Sequence, residues 1–536
     1  MKNPAPAKTT ARATVALRMA ELSDWARTIW DFGETAWREY RSCEFYVDLL
    51  RREGFEVETG SGGMPTAFCA TWSNGGGPTI GGYAEYDGIP GNCQAAEPCQ
   101  APRPGLGPHA GGHTDPHSAL GVGALGGFLA AKAAMERHNI PGRLKFFGEP
   151  AEKVRGSKPI HAAAGYYDDL DAAISFHPFY MAPLCNTVRW DTHCGTGYGV
   201  IYEFTCDQPE TWMATGIASP IPASHAAPRA PGATDAMVQM YQSAKALRDH
   251  VMAPGQSWSM NETILSHGQA TADNIPAQIA QIMYFIRISE IEDAEQVIRG
   301  LDHFAEAAAR LTHCSWRRHW VAKSRPGLAN HMLARATYAN LETVGAPRWG
   351  EEARTFARAI QGELGLAPMD DPFLPMISEL IPPEQAEAAL RRMLPSSQRH
   401  FTSDDYTEYC WHAPTVRLYI GRPALAAPDG FACPARAMNA MGGHAPCIDP
   451  MIDTAAQVVA LTAVDCLGNP GLLRAAKTEF EARTGGGTGG TKWLAPLCDY
   501  APPLNFRWPE YVTTPRGTDW IIPTGRTPRP RKSLRR

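Results

Sequence analysis

The chain predicts an α/β fold: a mostly parallel sheet layered with helices, broken by a smaller α+β insert. Three observations carry this. Short apolar strands alternate with helical stretches from about residue 55 to 178. From about 199 to 310 the order changes to strand, helix, strand, strand, helix. Beyond about 326 the helices and α/β character return. A chain of 536 residues also exceeds one compact core and suits two or three domains.

Composition narrows the partners. Hydrophobic content of 44% with 20% charged residues describes an ordinary globular protein. A net charge of -5 gives no electrostatic case for nucleic acid. No run of about 18 apolar residues stands out, so no membrane span is expected. Met1–Arg12 lacks the apolar core of a signal peptide, which makes the cytoplasm the expected location. The 13 cysteines are scattered and odd in number, as expected of reduced thiols, and only Cys93 and Cys99 lie close together.

Taken in order, residues 13–53 read as helical, with the stripe Phe45, Val47, Leu49 and Leu50 closed by Gly54. Residues 55–58 alternate as a strand, and 66–72 and 78–86 are strands about the turn Asn74–Gly77. A Cys- and Pro-containing loop spans about 91–108. A Gly- and Ala-rich helix at 118–137 suits close packing on a sheet. Strand 142–148, helix 157–165 and strand 172–176 complete the alternation. The insert has strands at 199–205, 262–267 and 279–288, with helices at 232–251 and 291–310. Helices follow at 326–341, where Pro326 suits the first turn, and at 351–364 and 453–467. An acidic loop spans 402–411, and the Gly-rich 485–490 reads as a linker to a Trp- and Pro-rich tail with a basic end.

Chemistry-bearing residues gather at predicted strand ends, where ligands of an open α/β sheet collect. Pro108–His117 holds His109, His113, Asp115 and His117 among glycines, and histidine is a common metal ligand. Asp87, Glu152 and His177 also fall at or just after strand ends. The expectation is one metal-hydrolase site.

In order, Ala84-Glu85-Tyr86-Asp87, Gly112-His113, Pro150-Ala151-Glu152, Ser175-Phe176-His177-Pro178, Ser224-His225-Ala226-Ala227 and Gly442-Gly443-His444 carry a resemblance. The chain resembles the amidohydrolase family of aminoacylases, indole-acetyl-amino-acid hydrolases and p-aminobenzoyl-glutamate hydrolase, the last branch above all. The resemblance spans roughly 20–482. It implies a catalytic domain in two parts, 13–190 and 313–484, around a ferredoxin-like dimerisation or lid domain at 191–312, with 485–536 as linker and tail. It implies Glu152 as general base, metal ligands at His113, His177 and His444, and His225 and Asn274 lent to the site by the insert. Arg287 would bind a substrate carboxylate. A homodimer on a small amide or aromatic acid is implied.

The chain departs from the family at two ligands. The Cys expected two residues before the first histidine stands as Gly111, and the carboxylate after the general base stands as Lys153. A lysine ammonium beside a second divalent ion would be strongly repelled. The expectation is therefore one ion per chain, zinc or manganese, on His113 and His177, with Lys153 in the second ion's space. A third ligand is open among His109, Asp115, His117, Cys93 and Cys99. Three activities stay open: hydrolysis of an N-acyl or aromatic-acyl amino acid, hydrolytic deamination of an amino-(nitro)aromatic acid, and a non-catalytic partner subunit. For the second, Tyr86, Phe179, Tyr180, Lys153 and Arg155 are candidates to hold an aromatic acid.

Overall fold

The computed structural model describes residues 5–207, 231–250, 258–268 and 276–508, with a strand pair at Tyr511–Thr514 and Gly517–Trp520. The first helical stretch is two helices, α1 (Ala5–Phe32) and α2 (Tyr40–Arg52). The break falls at Gly33, whose φ is 52°. Strands β1 (Glu56–Thr59), β2 (Phe68–Ser73) and β3 (Thr79–Ala84) follow, then α3 (His117–His138) and β4 (Arg143–Gly148). Helix α4 (Ser157–Ala163), β5 (Ala172–Phe179) and β6 (Thr187–Val188) complete the first part.

The insert runs β7 (Thr196–Thr205), α5 (Ala233–His250), β8 (Ser259–Ser266), β9 (Ile279–Ile288), α6 (Ile291–Leu311) and β10 (Ser315–Ser324). The second part holds α7 (His331–Val344), α8 (Glu351–Glu363), α9 (Pro383–Met393), β11 (Thr415–Gly421), α10 (Ala435–Gly442), α11 (Ala445–Gly468) and α12 (Pro470–Thr484).

Seven strands form the main sheet in the order β1-β2-β4-β3-β5-β11-β6. Its centre, β4-β3-β5-β11, is parallel. β1, β2 and β6 are added antiparallel at the edges. β3 and β11 are buried at every position, as strands covered on both faces must be. Helices α3 and α11 pack against this sheet, and α1 packs on the two of them. The glycines of α3 allow that approach: a Cβ at Gly127 would stand 2.6 Å from Val459 Cγ1, and one at Gly123 would stand 3.3 Å from Ala455 Cβ.

α3 and α11 are long and apolar enough to cross a membrane, which the apolar-run expectation overlooked. Both are largely buried inside the fold, which accounts for their apolarity without a bilayer. Helix α7 starts at His331 rather than Pro326, because the Asn330 side chain accepts from Leu333 N at 3.1 Å and caps it. α11 starts at Ala445, earlier than the expected 453.

The second sheet has the order β10-β7-β9-β8, antiparallel throughout. With its two helices this is the split β-α-β of a ferredoxin-like domain. Its fourth strand, β10, lies beyond the boundary expected at 312. Residues 493–508 are no loose tail. Tyr500, Leu504, Phe506 and Trp508 pack with Ile201 and Val321 of the insert and with Trp37, Met64 and Ile160 of the main part.

Candidate functional site

Three strand ends, one helix start and the 3-10 turn before β11 build the site. The chain leaving β3 places Glu85 and Asp87, and the first turn of α3 places His117 with Asp115 just ahead. β4 leads to a 3-10 turn, Glu152–Val154, whose flanking Ala151 and Arg155 both have φ of 57°. Such left-handed positions are unfavourable for residues with a Cβ and tend to gather at functional sites. β5 carries His177 near its end, and the 3-10 turn Asp405–Trp411 before β11 brings Asp404 and Asp405.

His117 is the hub. Asp87 Oδ1 lies 2.7 Å from its Nδ1, which fixes the ring and turns Nε2 inward. Glu85 Oε2, Asp115 Oδ2 and Glu152 Oε2 stand 3.3, 3.4 and 3.5 Å from that Nε2. His177 Nε2 is 3.7 Å from Asp115 Oδ2. Donors about 2.1 Å from a tetrahedral ion are roughly 3.4 Å apart. The donor atoms of Glu85, His117 and His177 all lie within 4.8 Å of one another, a set one ion could bridge, and Asp115 lies within edge length of both histidines. Glu85 Oε2 is buried with no hydrogen-bond partner, as a ligand oxygen without its ion would be. Its other oxygen is held at 2.7 Å by the buried Lys158, which also bonds Asp405 at 2.7 Å.

Lys153 brings a second cation to the same edge. Its Nζ is 2.7 Å from Asp115 Oδ2 and 2.8 Å from His117 Nε2, while its backbone N–H donates to Asp87 at 2.7 Å. The ammonium thus sits on the His117 and Asp115 lone pairs that a bound ion would use. The donor set could hold an ion once Lys153 yields the His117–Asp115 edge to it.

Burial and Lys153 press the His117 imidazole down, yet Glu85 and Asp115 outweigh them and raise it to about 9. Burial lowers His177 to about 4, leaving it neutral at pH 7 and available as a ligand. Burial opposes ionisation of Asp115, but Lys153 and His177 hold it well below the ordinary carboxylate range.

The site opens into a cavity of about 320 Å³ lined by Asp115, Glu152, Lys153 and His177, and also by Phe179, Arg155 and Arg287. Arg155 forms an ion pair with Glu152 Oε1, leaving Oε2 to face His117 and Lys153, the latter at 3.6 Å.

Several expected residues stand elsewhere. His113 is buried, but its Nε2 meets the Ile29 carbonyl at 3.2 Å and it joins none of the donor groups among the described residues. Gly111 cannot be a ligand position, since any Cβ there would lie 2.3 Å from Gly33 O. The pair spaced two apart is instead Asp115 and His117, with an aspartate in the place expected for the Cys. His109 is exposed, and His444 stacks on the Phe356 ring at 3.9 Å; both are outside the donor groups. Cys93 Sγ accepts from Arg103 N at 3.4 Å, and Cys99 approaches Glu97. Tyr86 is a core residue donating to Thr66 O. His225 and Asn274 lie outside the described residues.

Sequence reasoning passed over Glu85 as a donor, and Lys158, Asp404 and Asp405 altogether. Glu85 was in view beside Asp87, and the Asp404-Asp405 pair was visible in the acidic loop. No signal marked Lys158.

No protein-family model matches the chain. Over 342 residues, 64% of this chain, it is 29% identical to one of the subunits of p-aminobenzoyl-glutamate hydrolase from Escherichia coli, spanning 66% of that relative's length. Over 165 residues it is 30% identical to thermostable carboxypeptidase 2 of Saccharolobus solfataricus, spanning 40% of that protein. A solved structure from methicillin resistant Staphylococcus aureus, described as an aminohydrolase, superposes with a TM-score of 0.50 at 13% identity. It covers 86% of this chain and all of that one, and this likeness carries the fold alone.

Proposed function

As a homologue of a p-aminobenzoyl-glutamate hydrolase subunit, the chain is, we propose, a metal-dependent hydrolase of small amides, an acyl or aromatic acyl group joined to an amino acid. The carrying observation is the buried group Glu85, His117 and His177, whose donor atoms lie within 4.8 Å of one another, with Asp115 beside both histidines. These residues would hold a divalent ion, zinc or manganese, whose Lewis acidity would polarise the amide carbonyl and acidify water.

Glu152 Oε2 takes the proton from water and passes it to the leaving nitrogen. Arg155 keeps the other oxygen of Glu152 fixed, so one proton site does the transfer. Lys153, 3.6 Å from Glu152, lies beside the reacting carbonyl and offsets negative charge developing on its oxygen. Arg287 receives the substrate carboxylate across the cavity.

A Glu152→Gln variant tests this on a panel of N-acyl amino acids that includes p-aminobenzoyl-glutamate. Turnover is expected to fall by about 10²–10⁴-fold with an unchanged melting temperature. Full turnover in the variant contradicts the assignment. Lys153 on the ligand lone pairs favours one second reading, a non-catalytic partner subunit, which predicts no bound ion and no turnover in the wild type. Ammonia release from an amino-aromatic acid, without amino-acid release, would instead mark a deaminase.

A further inference from the structure

The insert carries two thiols that the proposed hydrolysis leaves unused. Cys206 directly follows β7 and Cys314 directly precedes β10, so they stand far apart in the chain. β7 and β10 are antiparallel neighbours in the second sheet, with Phe204 opposite Trp316 and Thr205 opposite Ser315. One step further along that register sets Cys206 opposite Cys314.

Side chains alternate between the two faces of a sheet, so Cys206 shares a face with Phe204 and Cys314 shares one with Trp316. That face is the same for both. Cys206 and Phe204 belong to the hydrophobic cluster that packs α5 and α6 onto this sheet, and Trp316 and Cys314 pack against it. The Cys206 side chain lies within hydrogen-bonding reach of the Cys314 thiol. Opposed residues on antiparallel strands have Cα atoms about 4.5–5.5 Å apart, inside the roughly 4.4–6.8 Å that a disulfide spans. Backbone bonds hold both ends: Cys206 N donates to Gln278 O at 2.8 Å, and Cys314 N to Ala309 O at 2.9 Å. Cys206 is only 2% exposed and Cys314 is half-buried, so an oxidant in solution reaches Cys314 first.

We propose that Cys206 and Cys314 are a modification site, a pair that closes to a disulfide when the folded protein meets a thiol oxidant such as glutathione disulfide. The Cys314 thiolate attacks one sulfur of glutathione disulfide and releases one glutathione. Cys206 gives up its proton, attacks the Cys314 sulfur and releases the second glutathione. Two protein thiols are thereby oxidised by two electrons, and one glutathione disulfide is reduced to two thiols. The new bond ties the first strand of the insert to its last and encloses α5, β8, β9 and α6 in one covalent loop. Such a loop constrains the unfolded chain, so the oxidised insert is the more stable one. Glu85, His117 and His177 lie outside the loop, and the pair stands or falls separately from the hydrolase reading.

The test uses the full chain, purified with reductant, freed of it and exposed to glutathione disulfide. Remaining thiols are blocked with N-ethylmaleimide in denaturant, and the peptides are mapped by mass spectrometry. Expected is a Cys206–Cys314 linked peptide, two hydrogens lighter than its parts, which dithiothreitol separates. The oxidised protein should melt about 5 °C or more above the reduced one, and Cys314→Ser should show neither the link nor the shift. Should Cys314→Ser fail to fold, the wild-type peptide map and melting comparison still decide. A wild type with both thiols still blocked by the maleimide overturns the proposal. So does a glutathione adduct on Cys314 without the link, a link from either residue to another cysteine, or a link that leaves the melting temperature unchanged.

Discussion

His117 and His113 show what a single residue's spacing can and cannot say. Both follow a short residue by two positions, Asp115 in one case and Gly111 in the other, and the sequence alone favoured His113. Backbone packing sets the two apart. Gly33 O closes on Gly111, and His113 turns to the end of α1, while Asp87 turns His117 into the site. Glu152 and His177 stood out because each lies near the end of an apolar strand, and the structure sets both beside His117. A second buried acid near the site makes a separate prediction. Glu149 accepts from Tyr167 at 2.6 Å and Tyr409 at 2.8 Å, and meets His161 Nδ1 at 3.0 Å. Burial pushes this carboxyl up, but His161, Lys158 and Tyr167 outweigh burial and hold it at about 2. A depressed pKa contributes stability that is present above the unfolded value near 4.5 and is lost as pH falls toward 2. Glu149→Gln should therefore cost roughly 3 kcal/mol at pH 7, with the gap to wild type closing between about pH 4.5 and 2. Urea unfolding across that range checks it, and a gap independent of pH would count against it.

At the scale of elements, α3 was legible as a helix that packs closely, from its run of Gly and Ala. Its packing on the sheet was legible as well; its second partner, α11, was not, because a small-residue face fits another helix as readily as a sheet. It meets both: a Cβ at Gly121 would stand 2.8 Å from Ala84 Cβ at the end of β3, and one at Gly127 would reach Val459 of α11. Gly127→Val should lower the unfolding free energy by about 2 kcal/mol or prevent folding, because the facing atoms have nowhere to move. Gly468→Ala, with nothing within 4 Å of the new methyl, should stay within about 0.5 kcal/mol of wild type. Equal melting temperatures for the two variants would contradict this packing. The start of α7 was misread for a local reason. Pro326 and Asn330 are both start signals, and only the Asn side chain makes the capping bond.

At the scale of the whole molecule, the change from parallel α/β to a strand-rich insert was visible in the sequence. The junction between the two was not, because it is built from distant pieces of chain. β10 returns to complete the second sheet, the 493–508 segment fills the contact between the parts, and Arg287 of the insert lines the cavity that holds His177. We propose that the assembled site holds one ion, with the Lys153 ammonium at its edge excluding a second. Metal content per chain, after purification without chelator and incubation with zinc or manganese, tests that most directly across four proteins. The wild type and His113→Ala should each hold one ion, His117→Ala should hold none, and Lys153→Glu should hold two. Two ions in the wild type, or an ion lost in His113→Ala and kept in His117→Ala, would contradict the account.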